Sequence, residues 1–358
     1  MMSYRKRFVE WCQQPSRIKI HTVNPRNFVV LSIALILVLT SSFVGYQAVS
    51  SPPPFTPIPR GSITTLTITT DITLTEDYFN TTIVIGADDI TLDGNGHWII
   101  GPSPDYIYYP DTEDVMPNVT IGILLKGRTG VTIKNCHVTS FTFGFHLDSS
   151  NGNTLQENTA TNNADGFFLW ESDGNSLQRN TANDNVYGGF YLGSSFDNIL
   201  RDNKANGSGD DPQSGFGLGR SFRNTFQGNT ANDNLNGFGL EESDGNIFQG
   251  NTVSNNTLSG FMVGNSSNNL LTSNTVSNNT IEIWWGSNNR IYHNTFVDNL
   301  HQFTIKYSVN TWDDGYPSGG NYWSDYTGVD VDGDGIGDTP YVIDENNVDQ
   351  FPLMESIS

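Results

Sequence analysis

A repeat of about 22 residues limits what this chain can fold into more than any other feature of its sequence. The stretch "NTLQENTATNNADGFFLWESDG" (153–174) is followed directly by "NSLQRNTANDNVYGGFYLGSS", so like residues return after 22 positions. Later units keep the pattern with steps of 20 to 26 residues. Self-similarity at such a period is typical of stacked supersecondary units, each of which rests on its neighbours.

The residues within one unit favour strands over helices. A leucine-rich repeat would need a helix or a short helical turn per unit, but every unit is crowded with Gly, Asn, Thr and Ser, which are poor helix formers. The Phe-x-Leu pairs alternate as strand residues do. Coils of three short strands, stacked on one another, bring parallel strands about 4.8 Å apart. The sequence therefore predicts an all-β fold, a right-handed parallel β-helix.

An asparagine recurs at one position of each coil, three residues after an apolar residue. In a stack of coils each side chain lies over its counterpart, so inward amides can form a hydrogen-bonded ladder, as they do in cross-β fibrils. A serine column is expected to stack in the same way. The asparagine column consists of Asn158, Asn180, Asn203, Asn229, Asn251, Asn274 and Asn294, with Cys136 in its first position. The serine column consists of Ser150, Ser172, Ser195, Ser221, Ser243 and Ser266.

The N-terminal part differs from the rest in charge and hydropathy. Residues 1–27 carry six basic residues and one acidic residue, whereas the whole chain has a net charge of −21. The run "FVVLSIALILVLTSSFVGY" (28–46) has no charge, and about 20 apolar residues span a bilayer. Basic residues before such a run favour a cytoplasmic N-terminus. We expect an exported cell-surface protein, anchored in the membrane by 28–46 or secreted if this segment is a cleaved signal.

These observations divide the chain into five parts. We assign 1–27 to a basic cytoplasmic leader, 28–46 to a transmembrane anchor or signal segment, 47–61 to a Pro-rich linker, 62–309 to the β-helix, and 310–358 to a C-terminal cap with an acidic Asp/Gly loop. An insertion at 101–118, rich in Pro and Tyr, can cover one face of the helix. Cys12 and Cys136 fall on opposite sides of the predicted membrane segment, so we expect no disulfide.

The coil pattern "NTLQENTA", followed by "GFFL", and the tail "GNYWSDYTGVDVDGDGIGDTPYVIDENNVDQFPL" (320–353) resemble the NosD-like family. This family of right-handed β-helix repeat proteins is also described as carbohydrate-binding and sugar-hydrolysis β-helix proteins. The resemblance covers about 62–355 and implies the fold, while many activities use this scaffold. The copper-maturation role of NosD itself would need a cluster of imidazole or sulfur ligands. Copper is not expected here, because no two of five histidines share a column on adjacent coils: His97, His137, His146, His293 and His301.

Outward positions beside the Phe-x-Leu pairs form two further columns that suggest a ligand surface. One column reads His146, Phe168, Tyr191, Gly217, Gly239, Met262 and Glu282, and the other reads Asp148, Trp170, Gly193, Gly219, Glu241, Gly264 and Trp284. Exposed aromatic rings on a flat sheet mark an interaction surface; rings flanked by carboxylates suit sugars, and glycines leave a trough. The residues predicted to bind a polysaccharide are His146, Phe168, Trp170, Glu171, Tyr191 and Trp284.

Whether this surface also carries catalysis is left open by the sequence. Glycosidases need two carboxylates about 5–10 Å apart, and adjacent coils provide such spacings easily. The candidate catalytic residues are Asp148, Glu241, Glu282 and Arg220, with Arg220 and Arg223 expected near Glu241 and Glu242. We prefer a non-catalytic polysaccharide-binding protein. The alternatives are a polysaccharide lyase, C5-epimerase or glycoside hydrolase, a structural surface or adhesion spacer, and a NosD-type copper-maturation factor.

The stretch "DVDGDGIGD" (330–338) indicates a calcium loop. Asp330, Asp332, Asp334 and Asp338 stand at positions 1, 3, 5 and 9 of such a loop, and Ile336 can offer its carbonyl. An EF-hand in strict form is excluded, because Tyr341 stands where the bidentate Glu belongs. We expect Ca²⁺ here, since four aspartates repel one another without a cation.

The remaining partner expectations follow from charge and local motifs. A net charge of −21 argues against nucleic acid, which needs a basic surface. We expect a monomer whose partners are a polysaccharide or cell-surface glycan and, through 28–46, a membrane. Glycosylation is possible at six Asn-x-Ser/Thr sites, which are Asn80, Asn118, Asn206, Asn255, Asn265 and Asn278.

Overall fold

A computed structural model describes residues 62–102, 119–207, 214–299 and 301–357. In these ranges the chain is a right-handed parallel β-solenoid of about 10 turns, and they contain no helix. The leader, membrane segment and linker assigned to 1–61 lie outside the described residues, as does 103–118 of the insertion. No helix long and apolar enough to cross a membrane occurs in the described ranges.

Each full coil contributes one strand to each of three parallel sheets, here called A, B and C. Sheet A holds Thr64–Ile68, Thr81–Ile85, Ile121–Lys126, Phe143–Asp148, Asp165–Trp170, Gly188–Gly193, Ser214–Gly219, Asn236–Glu241, Ser259–Gly264, Thr280–Trp284 and His301–Lys306. Sheet B holds Ile72–Thr73, Thr91–Asp93, Thr132–Lys134, Thr154–Gln156, Ser176–Gln178, Ile199–Arg201, Thr225–Gln227, Ile247–Gln249, Leu270–Thr272 and Arg290–Tyr292. Sheet C holds Tyr78–Phe79, Trp98–Ile100, His137–Thr139, Thr159–Thr161, Thr181–Asn183, Lys204–Asn206, Thr230–Asn232, Thr252–Ser254, Thr275–Ser277, Thr295–Val297 and Tyr322–Trp323. An antiparallel pair, Tyr341–Asp344 and Asn347–Asp349, follows.

The core is built from columns of identical apolar side chains. Phe145, Phe167 and Phe190 are fully buried, and their ring centres lie 4.5 and 4.7 Å apart with nearly parallel planes. This spacing is close to the strand separation of a β-sheet, so the rings repeat with the coils. The column continues through Phe216, Phe238 and Phe261.

The predicted asparagine ladder is present. The backbone N–H and the Nδ2 of Asn180 both donate to Oδ1 of Asn203, at 2.9 and 3.0 Å. Nδ2 of Asn180 also donates to the carbonyl of Leu155 on the preceding coil. Each buried amide therefore satisfies its own groups and those of its neighbours, which buried polar groups require. The serine ladder is present too, with the N–H of Ser172 donating to Oγ of Ser195.

Two more asparagine ladders run through the solenoid, and the sequence reasoning had not identified them. One begins at Asn153 and ends at Asn347; the other includes Asn163 and ends at Asn299. The C-terminal residues complete two of the three ladders. Asn310 donates its N–H to Asn347, and Asn321 donates its N–H to Oδ2 of Asp349 at 2.7 Å. The tail thus provides acceptors for these two backbone N–H groups, whereas Nδ2 of Asn310 has no hydrogen-bond partner among the described residues.

Candidate functional site

Sheet A aligns the predicted outward side chains in two columns. Strand pairing places His146 beside Phe168, and Phe168 beside Tyr191. The same register places Asp148 beside Trp170, and Trp170 beside Gly193. The pairing continues without a shift as far as Glu282 and Trp284. The parallel register therefore aligns the outward residues in the two columns that the repeat predicts.

Three rings on this sheet form what we call the aromatic group, Phe168, Trp170 and Tyr191. The ring centres of Phe168 and Trp170 lie 6.4 Å apart with planes inclined by 6°. Those of Phe168 and Tyr191 lie 5.3 Å apart with planes inclined by 19°. Trp170 is 42% exposed, and the other two are half-buried. The group is thus a set of nearly parallel rings that reaches solvent through Trp170.

Glycines on the following coils make room for these rings. A Cβ at Gly193 would lie 2.5 Å from Cε3 of Trp170, and a Cβ at Gly219 would lie 2.6 Å from the Tyr191 hydroxyl. Both rings therefore lean over backbone that only glycine provides. Beyond Tyr191 the outward positions are small on several coils. We call this stretch the glycine trough, and it consists of Gly217, Gly219, Gly239 and Gly264. Side chains of neighbouring coils lie over these glycines: Tyr191 over Gly217 and Gly219, Ser214 over Gly239, and Glu241 over Gly264.

His146 lies at the N-terminal end of the surface and packs against rings. Its imidazole centre is 5.0 Å from that of Phe143 and 5.3 Å from that of Phe168. Burial lowers the pKa of His146 to about 4, and the nearby Asp148 carboxylate only partly opposes this. The ring is therefore neutral at physiological pH, and it extends the aromatic group although its buried Nδ1 has no hydrogen-bond partner among the described residues.

The acidic residues of the surface have different environments. Asp148 forms a 2.9 Å ion pair with Lys126, and the hydrogen bond from Lys126 lowers the pKa of Asp148. Partial burial, followed by repulsion from Glu242, raises the pKa of Glu241. Burial also raises the pKa of Glu282, against the opposing charge of Lys306. These carboxylates can accept hydrogen bonds from a ligand at the rim of the trough.

The candidate catalytic residues do not converge on one point. Asp148 and Glu241 share a column but stand four coils apart, about 19 Å at the usual strand spacing. Arg220 forms a 2.7 Å ion pair with Glu242 at the edge of the sheet. Arg223 pairs with Asp197 at 2.8 Å, on the preceding coil, rather than with the two glutamates. A polysaccharide lyase, C5-epimerase or glycoside hydrolase activity therefore remains a prediction from the sequence.

Glu171 and Trp284 lie at the margins of the surface. Glu171 is exposed and follows the last residue of its strand, with a left-handed φ of 48°. Its side chain belongs to the turn beside Trp170 rather than to the face of the sheet. Trp284 is half-buried at the C-terminal end of the trough, where the Lys306 ammonium lies 5.9 Å from its ring centre.

A buried carboxyl group in sheet A was missed by the sequence reasoning. Asp165 begins the strand that carries Phe168 and Trp170, and it is 2% exposed. Its Oδ1 has no hydrogen-bond partner among the described residues. Burial raises the pKa of Asp165 to about 8. The repeat gives no sign of this residue, because the equivalent positions on the adjacent coils are Phe143 and Gly188.

The acidic loop at 330–338 brings three predicted ligands together. Carboxylate oxygens of Asp330, Asp332 and Asp334 lie within 4.8 Å of one another. Repulsion from Asp334 raises the pKa of Asp332. Asp338 is not in this group; its Oδ2 accepts the N–H of Val331 at 2.7 Å. The N–H of Ile336 donates to Oδ1 of Asp334. A cluster of hard oxygen donors on a short loop suits Ca²⁺.

The histidines of the described residues do not form a copper site. His97 contacts Asp77 at 3.1 Å, and His137 stacks on Trp98 with ring centres 4.9 Å apart. Nε2 of His293 lies 2.9 Å from the Ser318 carbonyl oxygen. Across the part of the chain that the structure describes, the three aspartates are the only group of three His, Cys, Asp or Glu side chains close enough to share a metal. These residues do not fit copper, which prefers imidazole and sulfur.

Two family models match the chain. The model described as periplasmic copper-binding protein (NosD) matches residues 186–328, and the model of the right-handed β-helix region matches residues 114–239. A relative from Pseudomonas aeruginosa, the probable ABC transporter binding protein NosD, is 43% identical over 60 residues. That match covers 16% of this chain and 14% of the relative's length.

The comparison with solved structures gives matches at low sequence identity and with TM-scores below 0.5, of which two are described. The A-module of the mannuronan C-5 epimerase AlgE6 from Azotobacter vinelandii is 15% identical with a TM-score of 0.41, covering 71% of this chain and 87% of that one. The DFA-IIIase from Arthrobacter chlorophenolicus A6 is 12% identical with a TM-score of 0.49, covering 68% of this chain and 66% of that one.

Proposed function

Because the chain belongs to the NosD-like family of right-handed parallel β-helix proteins, we propose that it is an exported protein that binds a polysaccharide along sheet A without altering it. The observation that carries this proposal is the position of the aromatic group at one end of the glycine trough. The periplasmic description of the matching family model supports an exported location. Cell-surface attachment through 28–46 is part of the proposal.

The geometry suits an extended sugar chain. Parallel rings can stack on the apolar faces of sugars, and beyond Tyr191 the sugar chain would run over the side chains that lie above the trough glycines. From Tyr191 to Glu282 the surface spans four coils, about 19 Å, which accommodates several sugar units. Carboxylates at the rim can accept hydrogen bonds from hydroxyl groups.

Replacing Trp170 with alanine is expected to weaken glycan binding roughly tenfold or more, because stacking and apolar burial are both lost. A glycan array selects the ligand, and isothermal titration calorimetry then compares the two proteins. Phe79→Ala is the matched control, since Phe79 is a 52% exposed aromatic residue on sheet C. The proposal is wrong if no glycan binds, or if Trp170→Ala binds as tightly as the unmodified chain.

We also propose that the loop at 330–338 holds Ca²⁺ through Asp330, Asp332 and Asp334, the three clustered carboxylates. Bound cation would relieve their repulsion and stabilise the tail that completes two asparagine ladders. Calorimetry should detect Ca²⁺ binding, and EDTA should lower the Tm by a few degrees. An Asp332→Asn/Asp334→Asn double variant should lose both effects.

An Asp184→Asn/Asp298→Asn double variant is the control for calcium binding, because it removes the same charge from exposed turns. It should keep the heat of binding and the response to EDTA. Absence of both signals in the unmodified chain would refute the calcium proposal and leave the glycan proposal intact.

A further inference from the structure

Nearly every described arginine is neutralised by a carboxylate on another coil. These ion pairs are Arg128–Asp88, Arg179–Glu157, Arg220–Glu242, Arg223–Asp197 and Arg290–Asp314, at 2.7 to 3.4 Å. Arg201 is the exception. It is exposed, and among the residues with described positions no carboxylate lies within 4.0 Å of its guanidinium. The chain has a net charge of −21, so an arginine without a carboxylate partner among the described residues is unusual in it.

Arg201 stands on the outer side of sheet B beside a depression of about 500 Å³. Its neighbours in register are Gln178 and Gln227, and Gln249 follows on the next coil. The depression extends along the corner next to these side chains, where Gly250 leaves space and the Asp202 carboxylate lies over Gly228. Amide and guanidinium groups therefore line one side of a concave surface, which is the usual arrangement for recognising polar ligands.

The same strands expose two apolar side chains next to the amides, with Thr225 between them on the intervening coil. Ile199 is 43% exposed and Ile247 is 38% exposed, and each precedes by two residues a side chain of the polar column, Arg201 or Gln249. On the earlier coils Thr154 and Ser176 occupy this position. The surface around Arg201 thus combines two separate isoleucines for C–H faces, amides for hydroxyl groups and a cation for an anion.

The charged side chains that line the depression are Arg201 and Asp202, and their charges cancel. Lys204 is exposed on the same coil but belongs to sheet C. A single guanidinium suits a ligand with isolated carboxylates better than a densely charged polyanion. The planar guanidinium matches a carboxylate with two parallel hydrogen bonds.

We propose that the depression around Arg201 is a second glycan site, which binds the carboxylate of a uronate unit in an acidic polysaccharide. It lies on sheet B, so it is separate from the aromatic group on sheet A. The two sites can therefore be tested independently. Gln227 and Gln249 would bind hydroxyl groups of the same sugar chain, and Ile199 and Ile247 would contact its apolar face.

The test uses oligogalacturonate as the probe and its methyl-esterified form, which lacks the charge, as the matched ligand. NMR titration should shift the side-chain amide signals of Gln227 and Gln249 with oligogalacturonate and much less with the ester. Arg201→Gln should weaken binding about tenfold or more, as loss of a charge-assisted bidentate contact does. Arg223→Gln removes the same charge from an exposed arginine that is already paired, and it should bind as the unmodified chain does.

Three results would overturn the second site: no binding of oligogalacturonate, equal binding of the ester, or equal losses in Arg201→Gln and Arg223→Gln. Trp170→Ala distinguishes the two sites, because it should leave the Gln227 and Gln249 shifts unchanged whether or not sheet A binds a glycan. Since Arg201 is exposed, its variant is expected to fold normally.

Discussion

Replacing Asn229 with alanine should destabilise the protein by about 3–5 kcal/mol, because it breaks a ladder in the middle of the solenoid. Asn229 is fully buried. Its Oδ1 accepts the N–H and the Nδ2 of Asn203 at 2.9 and 3.0 Å. Its Nδ2 donates to the Leu200 carbonyl and to Asn251. Alanine would leave several of these groups buried without partners, and each costs about 1–3 kcal/mol.

The matched control is Thr230→Ala, one residue further along and half-buried on the outer side of sheet C. It should change the stability by less than about 1 kcal/mol, as surface substitutions usually do. Urea unfolding followed by circular dichroism measures both variants. If Asn229→Ala costs no more than Thr230→Ala, the ladder contributes little to stability, and the account of the coils is wrong.

The second large effect concerns Asp165 and pH. Burial raises its pKa from 3.8 to about 8, so the folded state holds a proton that the unfolded state has released between pH 4 and 8. Stability should therefore fall as pH rises through this window, by about 1.4 kcal/mol per pH unit. Asp165→Asn removes this titration. The variant should match the unmodified chain near pH 4 and exceed it by several kcal/mol near pH 8.

Denaturant unfolding at pH 4, 6 and 8 measures this difference. The contribution of Asp349 to the pH dependence of stability must be subtracted. Burial raises the pKa of Asp349 to about 6, so this residue also lowers the stability as pH rises from 4 to 6. The difference between Asp165→Asn and the unmodified chain cancels that contribution. Thr230→Ala, which changes no titratable group, is the control and should leave the slope unchanged. Equal slopes for Asp165→Asn and the unmodified chain would contradict the prediction.

The repeat allowed the coil register to be predicted because one coil lies directly over the next. Knowing that Phe145 and Phe167 are equivalent fixes the neighbours of His146, Asp148 and every other residue of the strand. The ladder through Asn180 follows from the same reasoning. The ladders from Asn153 and through Asn163 are present in the sequence at the same period, but only the column through Asn180 was predicted.

Features that depend on side-chain reach were not predictable. Arg223 pairs backward with Asp197, whereas its position in the repeat suggested Glu241 and Glu242. Arg201 becomes noticeable only when the ion pairs of the other arginines are known. The acid at Asp165 occupies a slot that other coils fill with Phe, Gly, Ser or Asn, so no column reveals that it is buried.

Only part of the C-terminal tail could be predicted from the sequence. The acidic loop could be identified from the spacing of its aspartates, and Asp330, Asp332 and Asp334 do lie together. The role of Asn347 and Asp349 as acceptors at the end of two ladders could not be predicted from the sequence, because both residues follow loops of irregular length. Their contacts with Asn310 and Asn321 depend on how the tail folds back on the final coil.

A crystal structure of the protein with the oligosaccharide selected by the glycan array tests the central claim most directly. The account predicts a sugar ring against Trp170, with the chain continuing past Tyr191 towards Glu282 along sheet A. An oligosaccharide bound only elsewhere, with the Trp170 ring and the glycine trough left uncovered, would contradict it.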